Sequence, residues 1–304
     1  MGATTGGSSI RYVIVSPVKD EEKYISLTLQ SVINQSIKPV LWIIVDDGSI
    51  DKTSEIINGF LAANTFIRYE RNPKAGERKL AFAEIQAFNR GCRLIDSTDY
   101  DFIVKLDCDL SFDTNYFEQL LEKFRMDEKL GIASGVYLEP NRSGIWQEVI
   151  MPSYHAAGAS KVVRKECFEQ IGGFIPAPGW DTVDEIRAMS RGWRTTHFSN
   201  LKMYHHKPEG SSIGVFKNSF MQGEAYYRSG GSLLFFVFKA IRRFLTFPFM
   251  AGGFGLIWGY LKAVLDKKPP LVKEPEARYY NAQLLKRLKA KAKSFFKKTL
   301  TLHK

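Results

Sequence analysis

Val104 to Phe112 read VKLDCDLSF. An apolar, strand-like run ends in two aspartates, Asp107 and Asp109, with one residue between them. Side chains alternate along a strand, so both carboxylates point the same way. Two such groups side by side repel unless a cation offsets them. Oxygen ligands with waters suit Mg2+ or Mn2+, ions that also bridge phosphate oxygens. Taken alone, the pattern better fits one aspartate capping the next helix and the other left in water. Its setting in the chain decides for the metal. Cys108 faces the other way and is expected to be a small core residue.

Upstream, the chain alternates between two periodicities. IRYVIVSPV, VLWIIVDDGS, TFIRYERN and YDFIVKLDCD read as strands. DEEKYISLTLQSVINQS, DKTSEIINGFLAAN and ERKLAFAEIQAFNRGCRLI show helical spacing, with Asp51 placed to cap the second. Such alternation predicts a mostly parallel α/β sheet flanked by helices. Ligands bind such sheets beyond the carboxyl ends of the strands. Ser16, Asp46, Asp47, Arg71, Asp107 and Asp109 should therefore line one edge. In VDDGSIDKT, an acid pair, a glycine turn and a helix start offer acceptors for base or ribose hydrogen bonds, and also fit a plain capped turn.

Downstream the rhythm changes. TNYFEQLLEKFRM reads as an amphipathic helix, LGIASGVYLE as a strand with a loop after it, and SKVVRKECFEQIGGF as containing a short helix that ends at a glycine pair. GWDTVDEIRAMSRGW is a loop leading into a helix, and RTTHFSNLKMYHHK a strand with its exit. A histidine after that strand suits a third metal ligand or a diphosphate contact, and His206 is preferred to His205. Lys207 would neutralise charge on a leaving group.

The 304 residues are 44% hydrophobic and 25% charged, enough for one large domain with an extension. Three scattered cysteines fit a reducing compartment. Residues 1–9 show no basic start and no apolar run, so a flexible lead-in without a signal peptide is expected. The formal charge of +11 is concentrated. Lys262 to Lys304 hold eleven lysines and two arginines against three acids, leaving the rest of the chain near neutral. Before this tail, SLLFFVFKAIRRFLTFPFMAGGFGLIWGYLKAVL is the most apolar stretch. Its clean window from Phe244 to Leu261 is just long enough to span a bilayer, and Pro248 would bend it, so an interfacial hairpin fits as well as a span. In the tail, Leu284, Leu288, Ala292, Phe295, Thr299 and Leu302 recur at helical spacing among lysines. An apolar face of this kind argues for an anionic membrane surface rather than nucleic acid.

VSPVKDEEKYISLTLQSVINQSIKPVLWIIVDDGSIDKT, followed by AFNRG and KLDCDLSF, resembles the family 2 glycosyltransferases of GT-A fold. The likeness runs from roughly Ile10 to Lys207, about two thirds of the chain. It implies an inverting transferase that uses a nucleotide-diphosphate sugar and a divalent metal, Mn2+ or Mg2+. By position it places Ser16, Pro17 and Glu21 in the first nucleotide-binding segment, Asp47 at the base and Arg78 nearby. Asp107 would face ribose or metal, and Asp109 would be the main metal ligand. The family's usual Asn before the glutamate is Asp20 here. In PGWDTVDEIRAMSRGWRT, counting back from Gly192 puts Asp181 at the family's base position. Trp180 stands where an acid is common, and Asp184, followed by Glu185, is the alternative base.

Composition and resemblance together give three regions: a flexible 1–9, a GT-A domain over 10–215, and a helical, basic, membrane-associating extension over 216–304. No Gln-x-x-Arg-Trp motif of the processive synthases is present; QGEAY at Gln222 is as near as the chain comes. The expectation is therefore one sugar per encounter, moved to a glycan or glycolipid acceptor by a cytoplasmic enzyme attached to the inner face of the membrane. Two alternatives stand beside it. A sugar nucleotidyltransferase would want a Gly-rich loop where SPVKDEEKY has no glycine. A non-catalytic nucleotide-sugar-binding membrane protein would have less use for acids at both the metal and base positions.

Overall fold

The computed structural model describes residues 10–72, 82–96, 99–141, 143–208, 214–246 and 250–302, the last with side chains to residue 289. Arg78, the lead-in 1–9, Pro248 and the side chains of Ala292, Phe295, Thr299 and Leu302 lie outside them. In chain order the elements begin β1 (Tyr12–Val18), α1 (Ile25–Ile33), β2 (Leu41–Asp46), α2 (Thr53–Leu61), β3 (Ile67–Arg71), α3 (Phe82–Cys92) and β4 (Phe102–Leu106). Then follow β5 (Leu110–Phe112), α4 (Tyr116–Met126), β6 (Leu130–Pro140), β7 (Trp146–Glu148), β8 (Ser160–Arg164), α5 (Lys165–Ile171), α6 (Trp180–Ser190) and β9 (Arg194–His205). Four helices close the chain: α7 (Val215–Arg228), α8 (Leu233–Phe244), α9 (Ala251–Leu265) and α10 (Glu274–Leu302).

Contacts divide the chain into two units, residues 1–176 with 192–208, and residues 177–191 with 209–304. The first holds one sheet of order β3-β2-β1-β4-β8-β6-β9-β5, with β7 paired to β6. Its first four strands are parallel, as the alternation predicts. Beyond β4 the sheet is mixed: β8 runs antiparallel to β4 and β6, β9 parallel to β6, and β5 antiparallel to β9. SKVVR, read as the approach to a helix, is the strand β8. Its valines sit in the core because β4 and β6 flank it on both sides.

Both faces of the parallel half are covered, so β1 and β4 read as near-continuous apolar runs, interrupted by Ser16 and Lys105. The α4 helix buries Phe117, Leu120, Leu121 and Phe124, spaced to fall on one face. Each such side chain contributes about 1.5–3 kcal/mol by leaving water. Gly91 of the AFNRG stretch lets α3 approach the sheet; a Cβ there would strike the side chains of Val15 and Val45. Gly135 plays a similar part inside β6. A Cβ would meet the Leu201 carbonyl oxygen and the Tyr116 ring, and here the β6–β9 register shifts, from Gly135 opposite Phe198 to Val136 opposite Lys202.

The second unit joins α6 to the C-terminal helices. Glu276 of α10 is buried and draws in Arg191 at 2.9 Å and Arg187 at 3.9 Å, both at the end of α6. The α7 and α9 helices touch backbone to backbone. Cβ atoms at Gly223, Gly255 or Gly259 would strike carbonyl oxygens of the facing helix. The apolar stretch forms α8 and α9 as separate helices. Among the described residues no helix is long and apolar enough to cross a membrane.

Candidate active site

The acid pair of VDDGS splits by role. Asp46 ends β2 fully buried. Its Oδ1 accepts from the Ser49 N–H and hydroxyl, both at 2.7 Å, and its Oδ2 from Ser54 and Tyr69 at 2.8 and 2.6 Å. Burial would raise this carboxyl, but the donors from Tyr69, Ser49 and Ser54 more than offset it and hold it below its usual range. Asp46 therefore clamps the turn at Gly48, where φ is +78°.

Asp47 faces outward. It lines a cavity of about 400 Å³ with Asn72, Gln86, Asn89, Arg90 and Arg93 among others, and Asn72 Nδ2 donates to its Oδ1 at 3.1 Å. Asn89 also donates to the Phe174 carbonyl at 3.0 Å, which anchors this wall.

The first strand end departs from expectation at one residue. Ser16 is fully buried, and its Oγ accepts from the Trp42 indole at 2.9 Å. It is a core hydroxyl, held by that indole within the covered sheet. Pro17 is half-buried beside it. Asp20 takes φ +53°, a left-handed backbone that Asn and Asp tolerate better than most residues, and its Oδ1 accepts from Ile50 N–H at 2.9 Å. The Asn-to-Asp departure thus keeps a turn function. Glu21 follows, and Lys207 Nζ reaches its Oε1 at 2.5 Å.

The Asp107–Asp109 stretch meets the end of β9. Leu110 pairs with His205, and His206 N–H donates to the Asp109 carbonyl at 2.9 Å. This ladder brings a ligand atom each of Asp107, Asp109 and His205 within 4.8 Å of one another. His205, not His206, completes the cluster. His206 Nε2 lies 2.8 Å from Ser111 Oγ, and its ring stacks on Tyr24. Successive residues leave a strand on opposite faces, so only one of the two histidines can join the aspartates. The geometry thus favours His205 over the expected His206 as the third candidate ligand.

Three features make the cluster fit a divalent cation. Asp109 Oδ1 is buried without a hydrogen-bond partner, which is costly for a carboxylate. His205 Nε2 sits 3.4 Å from Asp109 Oδ2. Burial, with the charges of Glu84 and Asp109, pushes the Asp107 carboxyl up, against the opposing charge of Lys105. Burial would lower His205, but Asp109 and Glu139 outweigh it and raise the imidazole to about 10. Cys108 is buried, as expected of a core residue.

Lys105 was not legible as a site residue. It is 1% exposed, pairs with Asp107 at 2.5 Å and also reaches Glu84 of α3. A charged residue two positions before the aspartates, on their own side of the strand, was the available signal. Glu139 closes the stretch LGIASGVYLE, and an acid closing an apolar run is the same signal as Asp47.

The candidate bases lie on α6, in the second unit. Asp181 occupies its first turn, half-buried, after Gly179 at φ +82°. Asp184 is 2% exposed, and its Oδ1 accepts from Glu185 N–H at 2.6 Å. Glu185 is buried too. Lys239 of α8, which feels the Asp181 charge, is lowered to about 8 by burial, with Asp181 opposing.

Residues 13–178 match the family model for glycosyl transferase family 2. With its GT-A fold, the chain belongs to that family. It is 30% identical over 126 residues to the poly-β-1,6-N-acetyl-D-glucosamine synthase of Staphylococcus aureus, a match covering 41% of this chain and 28% of the relative. The chain thus matches well under a third of that relative's length. Among solved structures, TarS residues 1–349 from S. aureus in complex with UDP-GlcNAc superposes with a TM-score of 0.55 at 15% identity, covering 72% of this chain and 66% of that one. The mannosyltransferase PcManGT from Pyrobaculum calidifontis, in complex with GDP-Man and Mn2+, gives 0.55 at 15% identity, with 91% and 80% covered. Both likenesses concern the fold.

Proposed function

We propose that the protein is an inverting glycosyltransferase that moves one sugar from a nucleotide-diphosphate sugar to a hydroxyl of a glycan or glycolipid. The observation that carries this reading is the convergence of Asp107, Asp109 and His205 at the strand ends around an unpartnered buried carboxylate oxygen. Relatives of the fold are described with UDP-GlcNAc and GDP-Man, which supports a UDP or GDP sugar as donor.

Each residue has a part. Asp47 and Asn72 offer acceptor and donor groups at the cavity, where a base would pair. Glu21, Pro17 and Arg78 belong to the donor segments, and Lys207 supplies positive charge for the diphosphate as it departs. Asp107, Asp109 and His205 would hold Mn2+ or Mg2+. When bound, such a cation supplies Lewis-acid stabilisation to the diphosphate. Asp181, more exposed than Asp184, would take the acceptor hydroxyl's proton. The oxygen then bonds the anomeric carbon as the bond to the diphosphate breaks on the opposite face.

Attachment to an anionic membrane surface is part of the proposal. Leu233, Leu234, Val237, Phe238 and Ile241 of α8 are exposed, and so are Phe254, Trp258, Leu261 and Leu265 of α9. These spacings put one apolar face on each helix, and Arg242 and Arg243 follow at the end of α8.

A thermal-shift screen of UDP, GDP, dTDP and CMP, each with and without Mn2+, tests the donor reading. A Mn2+-dependent rise in Tm with one diphosphate is expected. No rise with any of them would overturn it.

A further inference from the structure

Glu139 stands outside the proposed ligand set, yet it governs one member. Its Oε1 lies 2.9 Å from Nδ1 of His205, while Nε2 of the same ring faces Asp109 Oδ2 at 3.4 Å. The two side chains are 20% and 9% exposed, and the Tyr137 ring packs perpendicular to the imidazole at 5.7 Å. Backbone pairing builds the contact. Leu138 sits opposite Tyr204 across the parallel β6–β9 ladder, so the next residues, Glu139 and His205, are level. The shift after Gly135 sets that register.

We infer that Glu139 is a positioning residue for the metal centre. It accepts the Nδ1 hydrogen of His205 and so keeps the tautomer whose Nε2 lone pair points at Asp107 and Asp109. Without it, the proton is free to occupy Nε2 and the ring to turn. A ligating histidine whose second nitrogen meets a carboxylate is a recurrent device, and loss of that carboxylate costs roughly 10–100-fold in metal affinity. The inference rests on Asp107, Asp109 and His205 being a cation site.

Mn2+ titration of the full chain, followed by the EPR signal of free Mn2+, tests it in wild type, Asp109→Asn, Glu139→Ala and Glu139→Gln. Glu139→Ala is expected to weaken binding about 10–100-fold. Glu139→Gln, which keeps an acceptor oxygen, should recover most of that loss, and its Co2+ absorption spectrum should match wild type. Wild-type affinity in Glu139→Ala would overturn the role. Equal losses in the alanine and glutamine variants would also overturn it, since the carboxylate would then act by charge or as a ligand. Should the alanine variant not fold, Glu139→Asp takes its place, with weakened binding expected and wild-type affinity again overturning the role. If wild type binds no Mn2+, or Asp109→Asn binds as well as wild type, the site reading itself fails and the inference falls with it.

Discussion

Lys105 shows how a single residue can hold the strand-end acids in place. A fully buried lysine is rare unless paired, and this one meets carboxylates from two elements, Glu84 and Asp107. Removing the cation leaves two acids facing each other with little water. Lys105→Met is expected to destabilise the protein by about 3–5 kcal/mol, the usual cost of breaking a buried pair from one side. Urea unfolding checks this, and an unchanged midpoint would mean that the acids find other partners. His205 offers a second prediction. Its folded-state value, about 10, lies above the ordinary 6.5. Its contribution to stability is therefore complete below about pH 6.5 and lost as pH rises towards 10. With chelator present, the Tm difference between wild type and His205→Gln should shrink across that window. Mn2+ affinity should rise over the same range, because the cation must displace the proton.

Among the elements, two glycine-mediated contacts matter most. The shift at Gly135 sets the level of Glu139 against His205, so Gly135→Ala should cost about 1–3 kcal/mol and weaken Mn2+ binding as well. Loss of stability with unaltered Mn2+ affinity would separate the register from the site. In the second unit, Gly259 lies against the Phe220 carbonyl, and Gly255 against that of Phe216, one turn away. Gly259→Leu should force α7 and α9 apart. Hydrogen exchange in both helices should accelerate, and unaltered protection would show that the pair tolerates the separation.

For the molecule as a whole, the charge and the apolar faces are both gathered in the C-terminal unit. Vesicles of anionic lipid should sediment the protein, and neutral vesicles should do so less. Salt should weaken the anionic case, since exposed charges are screened beyond about 10 Å at 0.1 M. Replacing Phe238, Phe254 and Trp258 by glutamate should release the protein without lowering Tm by more than a few degrees, because all three are about half-exposed. Continued sedimentation would place the anchor elsewhere.

Much of this was legible in the residues themselves. Alternating periodicities determined the parallel half of the sheet, since a buried strand and a half-buried helix impose different spacings on apolar side chains. The aspartates of KLDCD pointed to a candidate cation site because like charges on one side of a strand repel unless something offsets them. Side-chain direction, however, depends on register, and register depends on partners distant in sequence. That is why His205 rather than His206 joins the aspartates, why Ser16 faces Trp42 inside the core, and why Glu139 and Lys105 went unread. The strand β8 was hidden for the same reason, because five residues ending in arginine acquire their neighbours only when β4 and β6 close around them. The membership of α6 in the C-terminal unit was equally illegible, since Arg187, Arg191 and Glu276 meet only after the intervening chain has folded back.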